Sequence, residues 1–336
     1  MEERYKVVLV DGMIGDTPIP VAEETEELAK VNADLVVADC QNKDEIIAAA
    51  KDADVILVIA ANMTRPVLEK LPKCRAIIRY GIGYDTIDVE AATDNNILVV
   101  NIPDFCLEEV SNHAIALLLA CAKKIVLLNS RIKQGKWMEA AKALSPMGPI
   151  YGQTLGLIGC GNIGRMVAMK VKCFGLKVLG YDPYVDKSLA AEYGITLTSL
   201  QELLEESDFI SVHAALNRET RHLIGENQFK RMKPTAYLIN TARGSIIDEP
   251  ALIKALHENW IAGAGLDVFE HEPVDPDNPL LKMDNVIVLP HSASYSDAAF
   301  KRLKTSVGRE TARVLSGHWP ENVVNKTVRP KVDLIK

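Results

Sequence analysis

Short apolar runs alternate with helix-type patterns over the first hundred residues. Each run is too short for a helix and is rich in β-branched side chains, which is typical of buried strands. Segments such as EETEELAK and KDEIIAAAK lie between the runs and have the composition of helices. Apolar strands that alternate with helices predict a parallel sheet covered on both faces. The predicted strands are Tyr5–Val10, Asp34–Ala38, Val55–Ile59, Ala76–Arg79 and Ile97–Val100.

The alternation restarts at Gln153 and predicts a second sheet of the same kind. Its apolar runs are LGLIG, KVLGYD, FISVHA, AYLINT, AGAGLD and VIVLP. The fold class is therefore α/β, with two doubly wound parallel-sheet domains. The chain is expected to cross between them at NIPD, residues 101–104, and at LPHSAS, residues 289–294.

Two further segments are predicted to be helical. Residues 105–134 are long and apolar enough for one or two buried helices, which we interpret as core, with a subunit contact as the alternative. Trp137 follows this segment and is interpreted as a packing anchor. Ala293–Leu315 reads as one helix with an apolar stripe.

Composition narrows the class of protein. A chain of 336 residues is longer than one core usually serves, which agrees with two domains. A net charge of −7 without a basic block argues against nucleic acid as a partner, although it permits an anionic small substrate. No apolar run reaches the ~18 residues of a membrane span. The N-terminus lacks signal-peptide features, and six scattered cysteines without zinc-type spacing indicate reduced thiols, so we expect a cytoplasmic protein.

A glycine motif stands in its full structural context. Gly159, Gly161 and Gly164 follow a predicted strand and open a predicted helix. In this motif the first glycine permits a tight turn, the second lets the backbone approach a pyrophosphate, and the third allows close packing of helix and strand. Asp182 ends the next strand, where a carboxylate accepts both ribose hydroxyls and repels a 2′-phosphate. The motif predicts NAD rather than NADP; the alternative is a glycine-rich turn that binds nothing.

The stretch LDVFEHEP is the richest in candidate chemistry. Asp267, Glu270, His271 and Glu272 are compatible with metal ligands, with acid–base catalysts, or with the polar filling of a loop. No further ligand stands at metal-site spacing, which makes the metal interpretation the weakest. A second short glycine pattern, YGIGYD, lacks the third glycine and predicts a turn whose backbone N–H groups face a carboxylate.

The chain resembles the D-isomer-specific 2-hydroxyacid dehydrogenases, a family that includes phosphoglycerate dehydrogenase and the C-terminal-binding-protein corepressors. The resemblance spans nearly the whole chain, through RYGIGYDTIDVEAA, GLIGCGNIG, LINTARGSIIDEPAL, GAGLDVFEHEP and LPHSASYS. It implies a flavodoxin-like substrate domain, residues 1–103 plus 292–336, into which a Rossmann NAD-binding domain, residues 104–291, is inserted. It also implies a homodimer formed through the nucleotide-binding domain.

The resemblance assigns the catalytic residues. His291 is implied as the acid and base, Glu272 as the carboxylate that raises its pKa, and Arg243 as the group that binds the substrate carboxylate and polarises the carbonyl. Asp267 is implied to bind the nicotinamide carboxamide, and Glu270 is left as a loop residue. Implied cofactor contacts also include Asn162, Ile163, Thr241 and Ala242. Implied substrate contacts are Arg79, Gly81, Ile82 and Gly83.

Two classes of function stay open. One is an NAD-dependent dehydrogenase of small 2-hydroxy acids, with phosphoglycerate dehydrogenase as a variant, and the other is an NAD-gated, corepressor-like binding protein. The intact catalytic set favours the enzyme. Ser294 stands where the corepressors carry a tryptophan, which favours a short polar acid such as hydroxypyruvate or glyoxylate; alternatively, Ser294 caps its own helix. His213 is expected either under the cofactor or in a structural role, and His113 in the core or an interface.

Overall fold

The protein is described by a computed structural model that covers residues 4–335. The chain forms two compact units. The first combines the residues up to Phe105 with those from Ser296 onward, and the second is Cys106–Tyr295. The boundaries predicted from the sequence, 103/104 and 291/292, lie within a few residues of these.

The first unit is built on a five-stranded parallel sheet in the order β4-β1-β5-β6-β7. All four residues of β5 are buried, as a strand covered on both faces requires. The five predicted strands agree with the observed ones to within one residue at each end. The five strands of this sheet are β1 Tyr5–Leu9, β4 Ala33–Val37, β5 Val55–Val58, β6 Ala76–Arg79 and β7 Leu98–Val100. Two short strands, β2 Met13–Ile14 and β3 Thr17–Pro18, form a separate antiparallel pair. The helices are α1 Ala22–Ala29, α2 Lys43–Ala50, α3 Arg65–Leu68, α4 Val89–Asp94 and, from the end of the chain, α13 Asp297–Leu315.

Helix α13 begins four residues later than the sequence predicted. Ser296 has an extended backbone, and its side chain accepts the N–H of Ala299 at 3.0 Å, so it is the N-cap. The interpretation of Ser294 as the N-cap is therefore wrong. The start of a helix depends on which hydroxyl reaches the first turn, and an apolar stripe does not carry that information.

The second unit contains seven parallel strands in the order β10-β9-β8-β11-β12-β13-β14. Both sheets are parallel, which confirms the predicted fold class. The strands are β8 Thr154–Ile158, β9 Lys177–Tyr181, β10 Thr196–Leu197, β11 Phe209–Val212, β12 Tyr237–Asn240, β13 Gly263–Leu266 and β14 Val286–Val288. The helices are α5 Leu107–Ala122, α6 Ile125–Lys133, α7 Trp137–Lys142, α8 Asn162–Val171, α9 Lys187–Glu192, α10 Leu200–Glu206, α11 Glu226–Phe229 and α12 Glu249–His257. Short 3₁₀ turns cover Lys172–Phe174, Gly244–Ile246 and Pro279–Lys282.

The apolar segment before the glycine motif divides into helices with different environments. Helix α5 buries seven side chains, five of which pack in the hydrophobic core of the second unit. Helix α6 buries none of its side chains against the described chain, and Trp137 at the start of α7 is 70% exposed. The prediction of one or two buried helices is confirmed for α5. Helix α6 is not buried within the described chain, so the alternative of a subunit contact stays a prediction for it, and Trp137 is not a packing anchor within this chain.

Within residues 4–335 no helix combines the length and the apolarity that crossing a membrane requires.

Candidate active site

The parallel sheet of the second unit brings the predicted site residues to one edge. A predicted site residue follows each of five parallel strands, namely β8, β9, β12, β13 and β14. The carboxyl edge of such a sheet is where doubly wound folds bind their ligands. The residues that follow the strands are Gly159, Asp182, Thr241, Asp267 and, two residues further on, His291.

The three glycines of the motif have different surroundings, and the approach of a pyrophosphate to Gly161 stays a prediction. Gly159 has φ +93°, and a Cβ there would lie 2.5 Å from the backbone nitrogen of Ala214. A Cβ on Gly164 would lie 2.3 Å from the carbonyl oxygen of Gly159, so the start of α8 packs directly on the turn. Gly161 is exposed, and no atom of the described chain would lie within 4 Å of a Cβ there. The turn is therefore closed on the protein side and open at Gly161.

Asp182 is fixed at the rim of this turn. Its Oδ2 accepts the N–H of Cys160 at 2.8 Å, and its Oδ1 accepts the N–H of Tyr184 at 2.9 Å. Its Oδ1 also accepts the N–H of Val185 at 3.3 Å, so Oδ2, which accepts one N–H, is the oxygen that retains capacity for a ribose hydroxyl. These residues fit a dinucleotide.

Sequence reasoning overlooked Arg165, which directly follows the motif. Its Nη2 donates to Oδ1 of Asn162 at 2.7 Å, and its Nη1 donates to the carbonyl of Cys160 at 3.2 Å. A cation is thereby fixed at the beginning of α8, beside the glycine turn. Its position directly after the third glycine was the available signal.

Glu272 and His291 form a direct pair. Nδ1 of His291 lies 2.7 Å from Oε2 of Glu272, and the other carboxylate oxygen accepts the N–H of Phe269 at 2.9 Å. Burial opposes ionisation of Glu272, but these hydrogen bonds and the positive charge of Arg243 outweigh it and lower the pKa of Glu272. Because Nδ1 is engaged, Nε2 is the nitrogen of His291 that remains to exchange a proton with another molecule.

Arg243 follows β12 in a tight turn. Asn240 Nδ2 donates to the carbonyl of Arg243 at 2.9 Å, and Nη1 of Arg243 donates to the carbonyl of Ala242 at 2.7 Å. The turn continues into Gly244, where a Cβ would lie 1.9 Å from the backbone of Phe269. The turn that carries Arg243 therefore packs directly on the segment that carries Glu272.

Asp267 is fully buried. Its carboxylate accepts the N–H groups of Ser292 at 2.9 Å and Ala293 at 2.8 Å, and its carbonyl accepts the N–H of His291 at 2.7 Å. These bonds, together with His113 at 3.4 Å, lower the pKa of Asp267 against the effect of burial. The observed role of Asp267 is to hold the backbone at His291, and its contact with the nicotinamide stays a prediction.

Each of the three acids in LDVFEHEP is paired with a histidine from elsewhere in the second unit. Glu272 pairs with His291, Asp267 lies near His113, and Oε1 of Glu270 lies 2.5 Å from Nε2 of His222. His222 and the partner of His113 were not found from the sequence, because no spacing rule links these histidines to residues 267–272.

His213 makes a contact of the kind expected for a structural histidine, and its position under the cofactor stays a prediction. Its Nε2 lies 2.9 Å from Oγ of Ser211, and burial lowers its pKa to about 4. It is therefore neutral at physiological pH. Its backbone also forms the floor of the turn at Gly159, where a Cβ would lie 2.7 Å from its carbonyl carbon.

The predicted substrate contacts of the first unit lie together after β6. Arg79 ends the strand and hydrogen-bonds to the carbonyl of Tyr80. Gly81 has φ +132°, a conformation that L-residues rarely adopt, and Ile82 is held through its carbonyl by Nδ2 of Asn101 at 2.7 Å. Gly83 completes the turn. Binding of a carboxylate by this turn stays a prediction.

Known proteins are similar to this chain over most of its length. The family model for the D-isomer specific 2-hydroxyacid dehydrogenase, NAD binding domain, matches residues 115–293. A glyoxylate reductase from Korarchaeum cryptofilum is 43% identical over 289 residues, 85% of this chain and 87% of that protein. A D-3-phosphoglycerate dehydrogenase from Methanocaldococcus jannaschii is 41% identical over 320 residues, 94% of this chain, which spans only 60% of the length of that relative.

Solved structures of two 2-hydroxyacid oxidoreductases are also similar to nearly the whole chain. An NADPH-dependent glyoxylate/hydroxypyruvate reductase from Sinorhizobium meliloti, solved with NADP and malonate, superposes with a TM-score of 0.86 at 29% identity and covers 99% of this chain and 100% of that chain. A D-lactate dehydrogenase from Aquifex aeolicus, solved with NAD and lactic acid, has a TM-score of 0.83 at 32% identity over 95% and 99% of the two chains.

The second unit is thus the NAD-binding domain of a nicotinamide-dependent dehydrogenase, as the glycine motif predicted. The chain belongs to the D-isomer-specific 2-hydroxyacid dehydrogenase family.

Proposed function

We propose that the protein is an NAD-dependent oxidoreductase that interconverts a short D-2-hydroxy acid and its 2-keto acid. The observation that carries this proposal is the 2.7 Å pair between His291 Nδ1 and Glu272 Oε2, with the charge of Arg243 acting on the same carboxylate. NADH, when bound, would supply the hydride for reduction, and NAD⁺ would accept it in oxidation. The chain must supply a proton and hold the substrate.

His291 moves the proton. In reduction, Nε2 donates a proton to the oxygen of the keto group, and the ring becomes neutral while Glu272 keeps hold of Nδ1. In oxidation, the neutral ring takes the proton of the hydroxyl group, and the carboxylate of Glu272 stabilises the imidazolium that forms. Arg243 binds the substrate carboxylate and polarises the carbonyl, because a guanidinium presents paired donors to planar oxygens.

The cofactor residues are proposed from the glycine turn and its neighbours. Asn162 and Ile163 open α8 beneath Gly161, and no side chain in the described part of the molecule caps that first turn. Oγ1 of Thr241 is buried and makes no hydrogen bond within residues 4–335. Because buried hydroxyl groups normally form hydrogen bonds, we propose that this one binds the cofactor at this edge of the sheet. Ala242 follows, with its N–H on Oδ1 of Asn240 at 3.0 Å. Asp182 is the group that favours NAD over NADP.

The substrate is proposed to be a short polar acid, glyoxylate or hydroxypyruvate. Its support is the glyoxylate reductases among the relatives and the small hydroxyl residue Ser294 three positions after His291. A phosphoglycerate dehydrogenase is the second candidate, supported by the 41% identical relative of that name.

A substrate panel tests these alternatives. NADH oxidation is measured with glyoxylate, hydroxypyruvate, 3-phosphohydroxypyruvate and phenylpyruvate. The highest kcat/KM should belong to one of the first two. A clear preference for the phosphorylated acid would move the function to phosphoglycerate dehydrogenase, and turnover with none would favour an NAD-gated binding protein.

The partner we infer is a second copy of the chain, joined through the NAD-binding domain. The support is an apolar surface on and after α6, where seven large hydrophobic side chains are exposed. All seven lie within residues 125–151, and a large exposed apolar surface is typical of an interaction site. The residues are Ile125, Val126, Ile132, Trp137, Met138, Leu144 and Tyr151.

A further inference from the structure

A second histidine–carboxylate pair lies beside the catalytic one. Nε2 of His222 lies 2.5 Å from Oε1 of Glu270, two residues before Glu272. The side chain of Glu270 is only 14% exposed, whereas that of His222 is 42% exposed. An exposed ion pair contributes little to stability, but a pair with one nearly buried member fixes that member in place.

Glu270 is also fixed from its other side. Its N–H donates to Oε2 of Glu249 at 3.0 Å, and its Oε2 accepts the N–H of Glu249 at 3.3 Å. Glu249 is held in turn by Nδ2 of Asn278 at 2.7 Å. His222 and the neighbouring His271 supply the positive charge, and they help to lower the pKa of Glu270 against the effect of burial. The segment that leads to Glu272 is therefore attached to the beginning of α12.

His222 reaches the turn of Arg243 at the same time. Its backbone N–H donates to the carbonyl of Ser245 at 2.9 Å, from a residue with φ +52°. Gly244, between Arg243 and Ser245, packs on the backbone of Phe269 and Glu270. One residue thus contacts the turn after Arg243 through its main chain and the segment before Glu272 through its ring.

We propose that His222 and Glu270 are positioning residues that hold these two segments together, so that Glu272 stays on Nδ1 of His291 with Arg243 beside it. Neither residue touches reacting atoms. The inference rests on the proposed function, in which the Glu272–His291 pair transfers the proton. It states that loss of the His222–Glu270 contact weakens catalysis only because Glu272 is displaced from His291.

The test compares Glu270→Ala with Glu272→Gln and with the double variant. At neutral pH Glu270→Ala should lower kcat for keto-acid reduction by about 10- to 100-fold, since small displacements of catalytic groups have effects of this size. Its KM should change less. The alkaline limb of kcat/KM should move towards lower pH, as in Glu272→Gln, and the double variant should show no further movement.

Controls separate positioning from loss of folding. Glu226→Gln removes a carboxylate paired with Lys230 and Lys254 in the same unit and should leave the limb in place. NADH binding and thermal unfolding establish that each variant is folded. If Glu270→Ala does not fold, His222→Gln replaces it, because glutamine keeps a donor and the backbone N–H and should retain part of the activity.

A readout without turnover keeps the proposal testable if the substrates are wrong. The protein has seven histidines, and the ring resonance of His291 can be assigned by comparison with His291→Gln. Its titration should move to lower pH in Glu270→Ala and in His222→Gln. An unmoved titration, or a limb at the unmutated position, would overturn the positioning role while leaving the dehydrogenase proposal standing. If no keto acid were reduced, only the dehydrogenase proposal would be overturned, because the titration of His291 would still test the positioning role.

Discussion

His291 and Glu272 stand nineteen residues apart in the chain, yet Nδ1 and Oε2 are 2.7 Å apart. The pair forms because β13 and β14 are parallel neighbours and end at the same edge of the sheet. The carbonyl of Asp267 accepts the backbone N–H of His291, and its carboxylate accepts those of the two residues after it. The ring of His291 is therefore paired with Glu272, and the backbone around it is held by Asp267.

Replacing Glu272 tests the proton transfer. Because the pKa of Glu272 is lowered, its charge is present from neutral pH down to below its ordinary value, and the pair is lost only as pH falls through that lowered pKa. Reduction needs the imidazolium, so kcat/KM should fall as pH rises, and Glu272→Gln should move the limb to lower pH. A limb that stayed in place in stopped-flow or steady-state profiles would show that Glu272 is not the partner.

Asp182 should control the choice of cofactor. We expect tighter binding of NADH than of NADPH, and Asp182→Ala should narrow the difference by about tenfold or more, because both the ribose hydrogen bonds and the repulsion of a phosphate are removed. Fluorescence titration of the two cofactors measures this. Asp186→Ala is the control, since Asp186 only caps α9. Equal affinities in the unmutated protein would contradict the assignment.

Gly244 should tolerate no side chain. A Cβ would overlap the backbone of Phe269 at 1.9 Å, so Gly244→Ala must separate the Arg243 turn from the Glu272 segment. We expect a loss of about 1–3 kcal/mol in the free energy of unfolding and a larger proportional loss of kcat. The control is Gly225→Ala, whose new Cβ would meet its nearest neighbour at 3.6 Å. Wild-type activity in Gly244→Ala would mean that the two segments need not touch.

His213 should make the protein less stable in mild acid. Its pKa is about 4 in the folded state and about 6.5 when unfolded, so below about pH 6.5 the unfolded chain binds the extra proton. The resulting loss of unfolding free energy grows down to about pH 4 and reaches roughly 3 kcal/mol. Chemical denaturation at pH 7 and pH 4.5 measures it. His213→Gln should reduce the pH dependence, and an unchanged slope would argue against a buried neutral ring.

The apolar surface around Trp137 should hold two chains together. Trp137→Glu combined with Val126→Glu should convert the sedimenting species to a monomer, because charges are costly to bury at an interface. Ile335→Glu is the matched control, since Ile335 is 67% exposed in the other unit. A monomeric unmutated protein would contradict the inferred dimer.

The sequence by itself determined the elements whose cause is local. Strand bounds in the first unit follow from β-branched runs. Gly159 and Gly164 follow from conformational and steric demands that only glycine meets, as φ +93° at Gly159 and the close approach of Gly164 to Gly159 show. The order of the motifs along the chain was enough to assign the family. The strand bounds and the glycine spacing depend mainly on residues that are close together in the chain, so they can be recognised in the sequence alone.

Only the tertiary structure decided which side chains meet. The sequence treated Glu270 as a loop residue and left His222 unmentioned, whereas the folded chain pairs them at 2.5 Å. It treated Trp137 as a packing anchor, whereas that side chain is 70% exposed. The sequence alone does not show whether an apolar side chain packs in the core of its own chain or against another chain. The sequence around a histidine likewise does not predict which distant carboxylate it will contact in the folded chain.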